Sequence, residues 1–415
     1  MGNYTGRLRS AGVLLRATAA ATLAFCALAS SGCGSESRAA EAKPLDLSKL
    51  DVGSYPTKPQ DPTSTDPATR GRVIEALRLA DAMPLAFEID PALTEYVGGT
   101  HVFLKANSFA GYLNVDHFDS DTTGFISGFA AAAASSRESG HYSLNNSVMI
   151  FDSDLAATNA AAALARSGLN LSSAKSAGIQ PDSVPLQSNQ HPAAQIVWSA
   201  HEQTFASWYP TGRYIIFTLI LQPESSYLQN YWNAAPDPAP FALADKAIDV
   251  TAGRLKSFQP TPPDKLAGLP LDPDGMLRLT LPRPEGDQTA NAFTGTLDAH
   301  GALYDEDDPV KRALFDKTGV DNVSYGAGQL IRTRDADSAQ SYFDAAFADR
   351  YHRPIDAPPG IPNARCVKYH GPDTHQFPFT CHVTFGRYVA SVWSQQQQDV
   401  YQRISAQYAI LANDK

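Results

Sequence analysis

A pattern that occurs twice constrains this fold more than any other feature of the chain. Val148-Met149-Ile150-Phe151-Asp152-Ser153-Asp154 is a short β-forming run. It ends in residues that can cap free helix N–H groups, and an alanine-rich helical segment follows to Ser167, stopped by Gly168. Gln329-Leu330-Ile331-Arg332-Thr333-Arg334-Asp335 leads in the same way into a helix to about Asp349, whose Ala339, Tyr342, Phe343, Ala346 and Phe347 form one apolar stripe. A hairpin-like pair of β runs comes next in each half, at 195–198 and 212–217, then at 366–369 and 386–392. The second run of each pair opens on Gly-Arg-Tyr, 58 residues after Asp154 and 51 after Asp335. Helices close both halves, from Asp245 to about Phe258 and from Gln397 to about Ala412. Equal order, similar spacing and the shared tripeptide predict an α+β fold: two tandem related units, each an antiparallel sheet packed against helices.

The N-terminus predicts export. The first 32 residues hold Arg7, Arg9 and Arg16 and no acidic residue, followed by an apolar stretch from Ala17 to Leu28 and then small residues. That is the order of a secretory signal, and the apolar run is shorter than the ~20 residues a spanning helix needs. Ala29-Ser30-Ser31-Gly32 leads directly into Cys33, the layout of a lipoprotein signal whose cysteine is lipidated and becomes the first mature residue. Ser30 stands where an aliphatic residue is usual, so plain secretion is the alternative. Two or more acyl chains would hold the protein stably on the outer face of the plasma membrane.

The expected layout is a signal peptide over 1–32, a lipidated cysteine with a flexible, disordered tether over 33–70, a first unit over 71–258, a Pro-rich linker over 259–286 and a second unit over 287–415. Asp66-Pro67 starts a helix through Met83, since proline fits the first turn. The first half carries extra sequence over 223–244, read as a long loop with Tyr227, Tyr231, Trp232 and Phe241. Aromatics there serve as a lid over a ligand or as packing between domains.

The net charge of −10 falls to about −13 once the three signal arginines are gone. Such an acidic chain lacks the basic patches of a nucleic-acid binder and the polybasic stretch that holds a protein on anionic lipid. Cys26 leaves with the signal and Cys33 takes the lipid. Cys366 and Cys381 remain, and a lone pair in an oxidising compartment predicts one disulfide. His370, His375 and His382 with both cysteines form the rival zinc reading, but the spacing of a zinc site is absent. No metal and no cofactor is expected.

The features together resemble a group of actinobacterial envelope lipoproteins of unknown function. The matching segments are Leu50-Asp51-Val52-Gly53-Ser54-Tyr55-Pro56, Leu77-Arg78-Leu79-Ala80-Asp81, Glu88-Ile89-Asp90-Pro91-Ala92-Leu93, Asn145-Asn146-Ser147-Val148, Arg332-Thr333-Arg334-Asp335-Ala336 and the strand at Gly386-Arg387-Tyr388 with its closing helix. The resemblance implies an exported, membrane-tethered protein and supplies no substrate, cofactor or catalytic residue.

No nucleophile elbow, phosphate loop or His-Glu-x-x-His motif is present. Gly98-Gly99-Thr100-His101 reads as a turn, and Asp305-Glu306-Asp307-Asp308 lacks the alternating ligands of a calcium loop. Asp116 and Asp119 flank His117 and read as surface. Arg213 and Arg387 could grip an anion or serve simply as turn residues. The expected function is a non-catalytic, lipid-anchored protein that binds a ligand or an envelope partner at the junction of its units, with Tyr227, Tyr231, Trp232, Arg213 and Arg387 as candidate contacts. The alternative is an envelope hydrolase with a dispersed site drawing on His117, His191 or His375.

Overall fold

Two antiparallel sheets organise the chain. The structure is a computed structural model that describes residues 45–64, 66–105, 109–136, 141–170, 183–232, 237–287, 294–304, 309–345, 351–372 and 377–414. The first sheet contains β1 (Leu93–Tyr96), β2 (His101–Phe103), β3 (Phe125–Ser135), β4 (Ser143–Phe151), β5 (Val184–Leu186), β6 (Gln195–Ser199), β7 (Thr204–Thr211) and β8 (Tyr214–Leu221). Their order is β1-β3-β4-β8-β7-β6-β5, with β2 also on β3. The second contains β9 (Gly295–Asp298), β10 (Asn322–Tyr325), β11 (Gly328–Arg332), β12 (His352–Ile355), β13 (Arg365–Tyr369), β14 (Phe379–Phe385) and β15 (Tyr388–Ser394), in the order β12-β13-β14-β15-β11-β10-β9. The helices are α1 (Pro67–Ala82), α2 (Ala86–Ile89), α3 (Phe118–Asp121), α4 (Asp154–Ser167), α5 (Pro223–Trp232), α6 (Phe241–Leu255), α7 (Pro309–Thr318), α8 (Ala336–Ala345) and α9 (Gln397–Ala412).

The two units share one topology. β3-β4-α4-β5-β6-β7-β8-α6 in the first corresponds in chain order and sheet order to β10-β11-α8-β12-β13-β14-β15-α9 in the second. The Gly-Arg-Tyr segments are equivalent to the atom. Thr211 faces Tyr214 and Phe385 faces Tyr388, so Gly212-Arg213 and Gly386-Arg387 are two-residue hairpin turns. Their glycines have φ of +55° and +54°, as the first central position of a type II′ turn requires. The tripeptide therefore begins in the turn, and the strands start at Tyr214 and Tyr388, two residues later than the sequence reading placed them. Ser153 and Asp335 are equivalent N-caps, accepting from Ala156 N at 3.2 Å and Ser338 N at 2.7 Å.

Both sheets bury both faces, so successive residues of the central strands are buried on opposite sides, with buried polar residues such as Asn146, Ser147 and Thr218 among them. On β8, Ile215, Phe217 and Leu219 join α4, while Ile216 and Ile220 face α6. On β11, Ile331 joins the α8 side and Leu330 the α9 side. Gly128 on β3 is required by packing, because a Cβ there would stand 2.2 Å from the Phe103 ring.

One hydrophobic cluster runs without a break from the α6 side of the first sheet, through α1, to the α8 side of the second. The units are therefore stacked by unlike faces and share a core. Tyr304, from the second unit, is buried against Phe129 of β3, with ring centroids 5.1 Å apart. Its hydroxyl lies 2.9 Å from Ala80 O and 2.8 Å from Met83 O, beside the end of α1 where the Met83 N–H also reaches Ala80 O at 3.1 Å.

Two expected boundaries are corrected. The tether expected over 33–70 is packed from Leu45 onward. Leu50 is buried, and Leu45, Leu47, Val52 and Tyr55 pack on the α9 core because their apolar side chains interrupt the polar run. The Tyr55 hydroxyl donates to Asp399 Oδ1 at 2.7 Å, and Asn413 Nδ2 donates to Thr57 O at 2.8 Å. The expected linker is also structural. Leu266 belongs to the shared core and Met276, Leu279 and Leu281 to the α9 core, while buried Glu75 of α1 accepts from Thr261 N at 2.6 Å.

Tyr304→Phe keeps the ring and removes only the hydroxyl. The expected loss is about 1–3 kcal/mol, the cost of removing the hydroxyl's hydrogen bond at the Met83 carbonyl in a buried setting. Urea unfolding would show it as a lower midpoint at an unchanged slope.

Candidate functional site

A cleft of about 570 Å³ lies where the units meet, within the range of small-ligand sites. One wall is the face of α1 bearing Val73, Ile74 and Leu77, positions that recur at helical spacing. Opposite stand Leu269, Pro270, Leu271, Pro273 and Leu277 from the connection between units. The end of the cleft is the outer edge of the second sheet, at Thr294, Gly295, Thr296 and Asp298, with Asn322 beside it. The lining is mainly apolar.

Its polar groups converge on that edge. Asp81 Oδ1 accepts the backbone N–H of Asp298 at 3.0 Å, and Asp298 Oδ1 accepts that of Gly301 at 2.7 Å. Burial, reinforced by the neighbouring Asp298 charge, pushes the Asp81 carboxyl up to about 8. The Asp81–Asp298 pair therefore holds a proton at neutral pH. The basic residues at the rim are engaged elsewhere: Arg78 donates to Glu75 at 2.5 Å and Thr261 Oγ1 at 2.6 Å, and Arg70 to Leu269 O at 3.4 Å.

Strand register shows which backbone groups face the cleft. Ala299 N–H bonds inward to Asp321 O at 3.1 Å, and the outward N–H of Asp298 is taken by Asp81. Bonding alternates along an antiparallel pair, so Thr296, two residues from Asp298 and opposite Ser324, also turns its N–H and C=O away from β10. Its Oγ1 is buried with no hydrogen-bond partner among the described residues. Asp81 thus covers one end of the sheet edge, and among the described residues nothing pairs with the Thr296 step.

The sequence analysis singled out none of Val73, Ile74, Leu77, Asp81, Thr296 or Asp298 as a functional position. One signal existed. Asp81 sits in the last turn of α1, where the helix dipole disfavours a carboxylate.

The residues proposed as ligand contacts lie elsewhere. Within the expected 223–244 loop, Pro223–Trp232 form α5 and Phe241 begins α6; Pro223 opens a helix in which the Tyr227 and Tyr231 rings meet at i,i+4 with centroids 4.7 Å apart. Tyr227, Tyr231 and Trp232 are 50%, 73% and 72% exposed, so they do not pack between units, and they do not line the junction cleft. Arg213 Nε donates to Phe151 O and Arg387 Nε to Thr333 O, both at 2.9 Å. Each guanidinium fastens its own hairpin to the end of the neighbouring strand, which favours the turn-residue reading over anion binding.

Cys366 and Cys381 face each other on β13 and β14 and are joined by a disulfide. The zinc reading thereby loses both thiolates. His382 is buried, its Nδ1 2.8 Å from Ser391 Oγ, with burial holding its pKa down at about 3. Among the described residues no group of three or more ligating side chains could hold a metal. Of the histidines in the hydrolase reading, His117 and His191 lie on opposite faces of the first sheet. His117 is exposed at the start of α3, on the α4 face of the first sheet. His191 lies 3.2 Å from Asp249 of α6, on the opposite face. Cys33, His375 and the 305–308 acidic run lie outside the described residues.

Fold and cleft together define a protein of two duplicated α+β units with a ligand-sized opening at their junction. Residues 62–271 match the N-terminal domain of unknown function DUF7373 and residues 276–414 its C-terminal counterpart, and the chain belongs to that family. No curated protein matches it. The extracellular domain of PknH from Mycobacterium tuberculosis matches at 10% identity over 43% of this chain and 96% of that one, with a TM-score of 0.22. A likeness that low supports no inference about role.

Two outcomes follow from these groups. An acid whose pKa is higher in the folded than in the unfolded chain loses stability as pH rises from about 4 to about 8. Asp81→Asn keeps an oxygen for Asp298 N–H and removes that titration. Its melting temperature should exceed wild type by several degrees at pH 8, with the gain shrinking toward pH 4 in a calorimetric series. Reducing the disulfide, 15 residues apart in sequence, should cost about 3 kcal/mol, read from denaturation with and without dithiothreitol.

Proposed function

We propose that this chain is an exported envelope protein, lipid-anchored at Cys33 on the outer face of the plasma membrane, that binds a mainly apolar ligand in the junction cleft without transforming it. The cleft carries this reading: it is ligand-sized, mainly apolar, and has a few polar groups gathered at one end. Export rests on the signal-like N-terminus and on the disulfide, which suits an oxidising compartment. No helix among the described residues is long and apolar enough to cross a membrane. In this reading the lipid supplies the attachment.

Two measurements test the halves of the proposal separately. Mass spectrometry of protein extracted from membranes should find a diacylated N-terminus at Cys33, and Cys33→Ala should release the protein to the medium. Lipid-free chain beginning elsewhere would refute the anchor. The uncharged fluorophore N-phenyl-1-naphthylamine should brighten on binding wild type, and Ile74→Trp, which fills the cleft, should abolish the signal. Equal fluorescence from both proteins would refute the cleft.

A further inference from the structure

Apolar walls alone do not account for the end of the cleft at β9. Thr296, which lines it, turns its backbone N–H and C=O away from β10, and its Oγ1 is buried without a hydrogen-bond partner among the described residues. A hydrocarbon would bury these groups without partners, at a cost of about 1–3 kcal/mol each. A peptide backbone answers them, because a residue opposite Thr296 can accept its N–H and donate to its C=O as in any antiparallel pair. Building on the cleft reading above, we propose that the ligand is a short extended peptide that adds antiparallel to the free edge of β9, its amino terminus beside Asp81 and Asp298 and its apolar side chains against Ile74 and Leu277.

Direction follows from charge. β9 runs from Gly295 to Asp298, so an antiparallel partner begins beside Asp298 and ends near Gly295. The ammonium then meets the carboxyl pair, and the carboxyl end leaves toward Thr294. A parallel partner would bring its carboxylate against the Asp81–Asp298 pair, whose remaining negative charge repels it. Length follows from the strand. Asp81 already holds the Asp298 N–H at 3.0 Å, so pairing is confined to Thr296 and the peptide must start about one residue before it. The volume of about 570 Å³ accommodates a few residues and no folded partner.

Valyl-leucyl-valyl-leucinamide is the probe, titrated by calorimetry into the mature chain and by displacement of N-phenyl-1-naphthylamine. The expected result is saturable binding that displaces the dye. Acetylating the amino terminus should weaken it about tenfold or more, the worth of a charge-assisted hydrogen bond. Thr296→Pro deletes the outward N–H that Asp81 leaves open without touching the ladder, a substitution edge strands tolerate, and should weaken binding to a similar degree. Acetylated and free peptide binding wild type within twofold would overturn the inference even if Thr296→Pro failed to fold. Peptide that leaves the dye in place, while Ile74→Trp removes it, would overturn the peptide and spare the apolar cleft. Failure of both peptide and dye would sink both readings.

Discussion

Burial of α1 between the two sheets is the constraint on which the rest depends. Leu79, Ala80 and Met83 are fully buried and Leu77 nearly so, each large side chain contributing about 1.5–3 kcal/mol relative to exposure. Arg72 ties the helix to the carbonyls of Ile126 and Leu104 in the first unit, and Tyr304 ties its end to the second. The same helix supplies one wall of the cleft and the carboxyl that covers the β9 edge. Stability and the candidate site are thus not separable here, since whatever loosens α1 also opens the cleft and bares the sheet.

Much of the fold was legible in the sequence, for identifiable reasons. The helix at 154–167 declared itself through its capping residues and the Gly168 stop, and that at 397–412 through Val400, Ile404, Tyr408 and Leu411 at helical spacing, which are local signals. Duplication was legible because hairpin chemistry is local too: Gly-Arg-Tyr marks the same turn in both units. What escaped notice was set by long-range packing. Residues 45–60 look like tether by composition, and only their contact with α9 reveals Leu50 and Tyr55 as anchors. The cleft escaped because it is shared by α1, the inter-unit connection and β9, segments distant in sequence whose meeting no periodicity encodes. Thr296 was beyond reach on any pattern, since its interest lies in where its backbone points.

The two units also show how duplicated parts diverge. The hairpin arginines keep one geometry at Nε, yet Arg387 additionally reaches Asp321 at 3.2 Å. Only the first unit carries α5 with its exposed tyrosines, and only the second carries the disulfide, across the strand pair equivalent to β6–β7. Neither addition borders the junction cleft. The elements that build the cleft, α1 and the connection, lie before and between the duplicated parts.

Stacking by unlike faces has a further consequence. Two copies joined top to bottom leave one top and one bottom unsatisfied, and nothing in such a geometry limits growth to two. In this chain the free surface of the second copy, around α9, is roofed by residues 45–57 through Leu50, Tyr55 and the Thr57 carbonyl. The leading strip of the folded body therefore acts as an end-stop, closing a row that would otherwise invite a third member, much as terminal caps finish a solenoid.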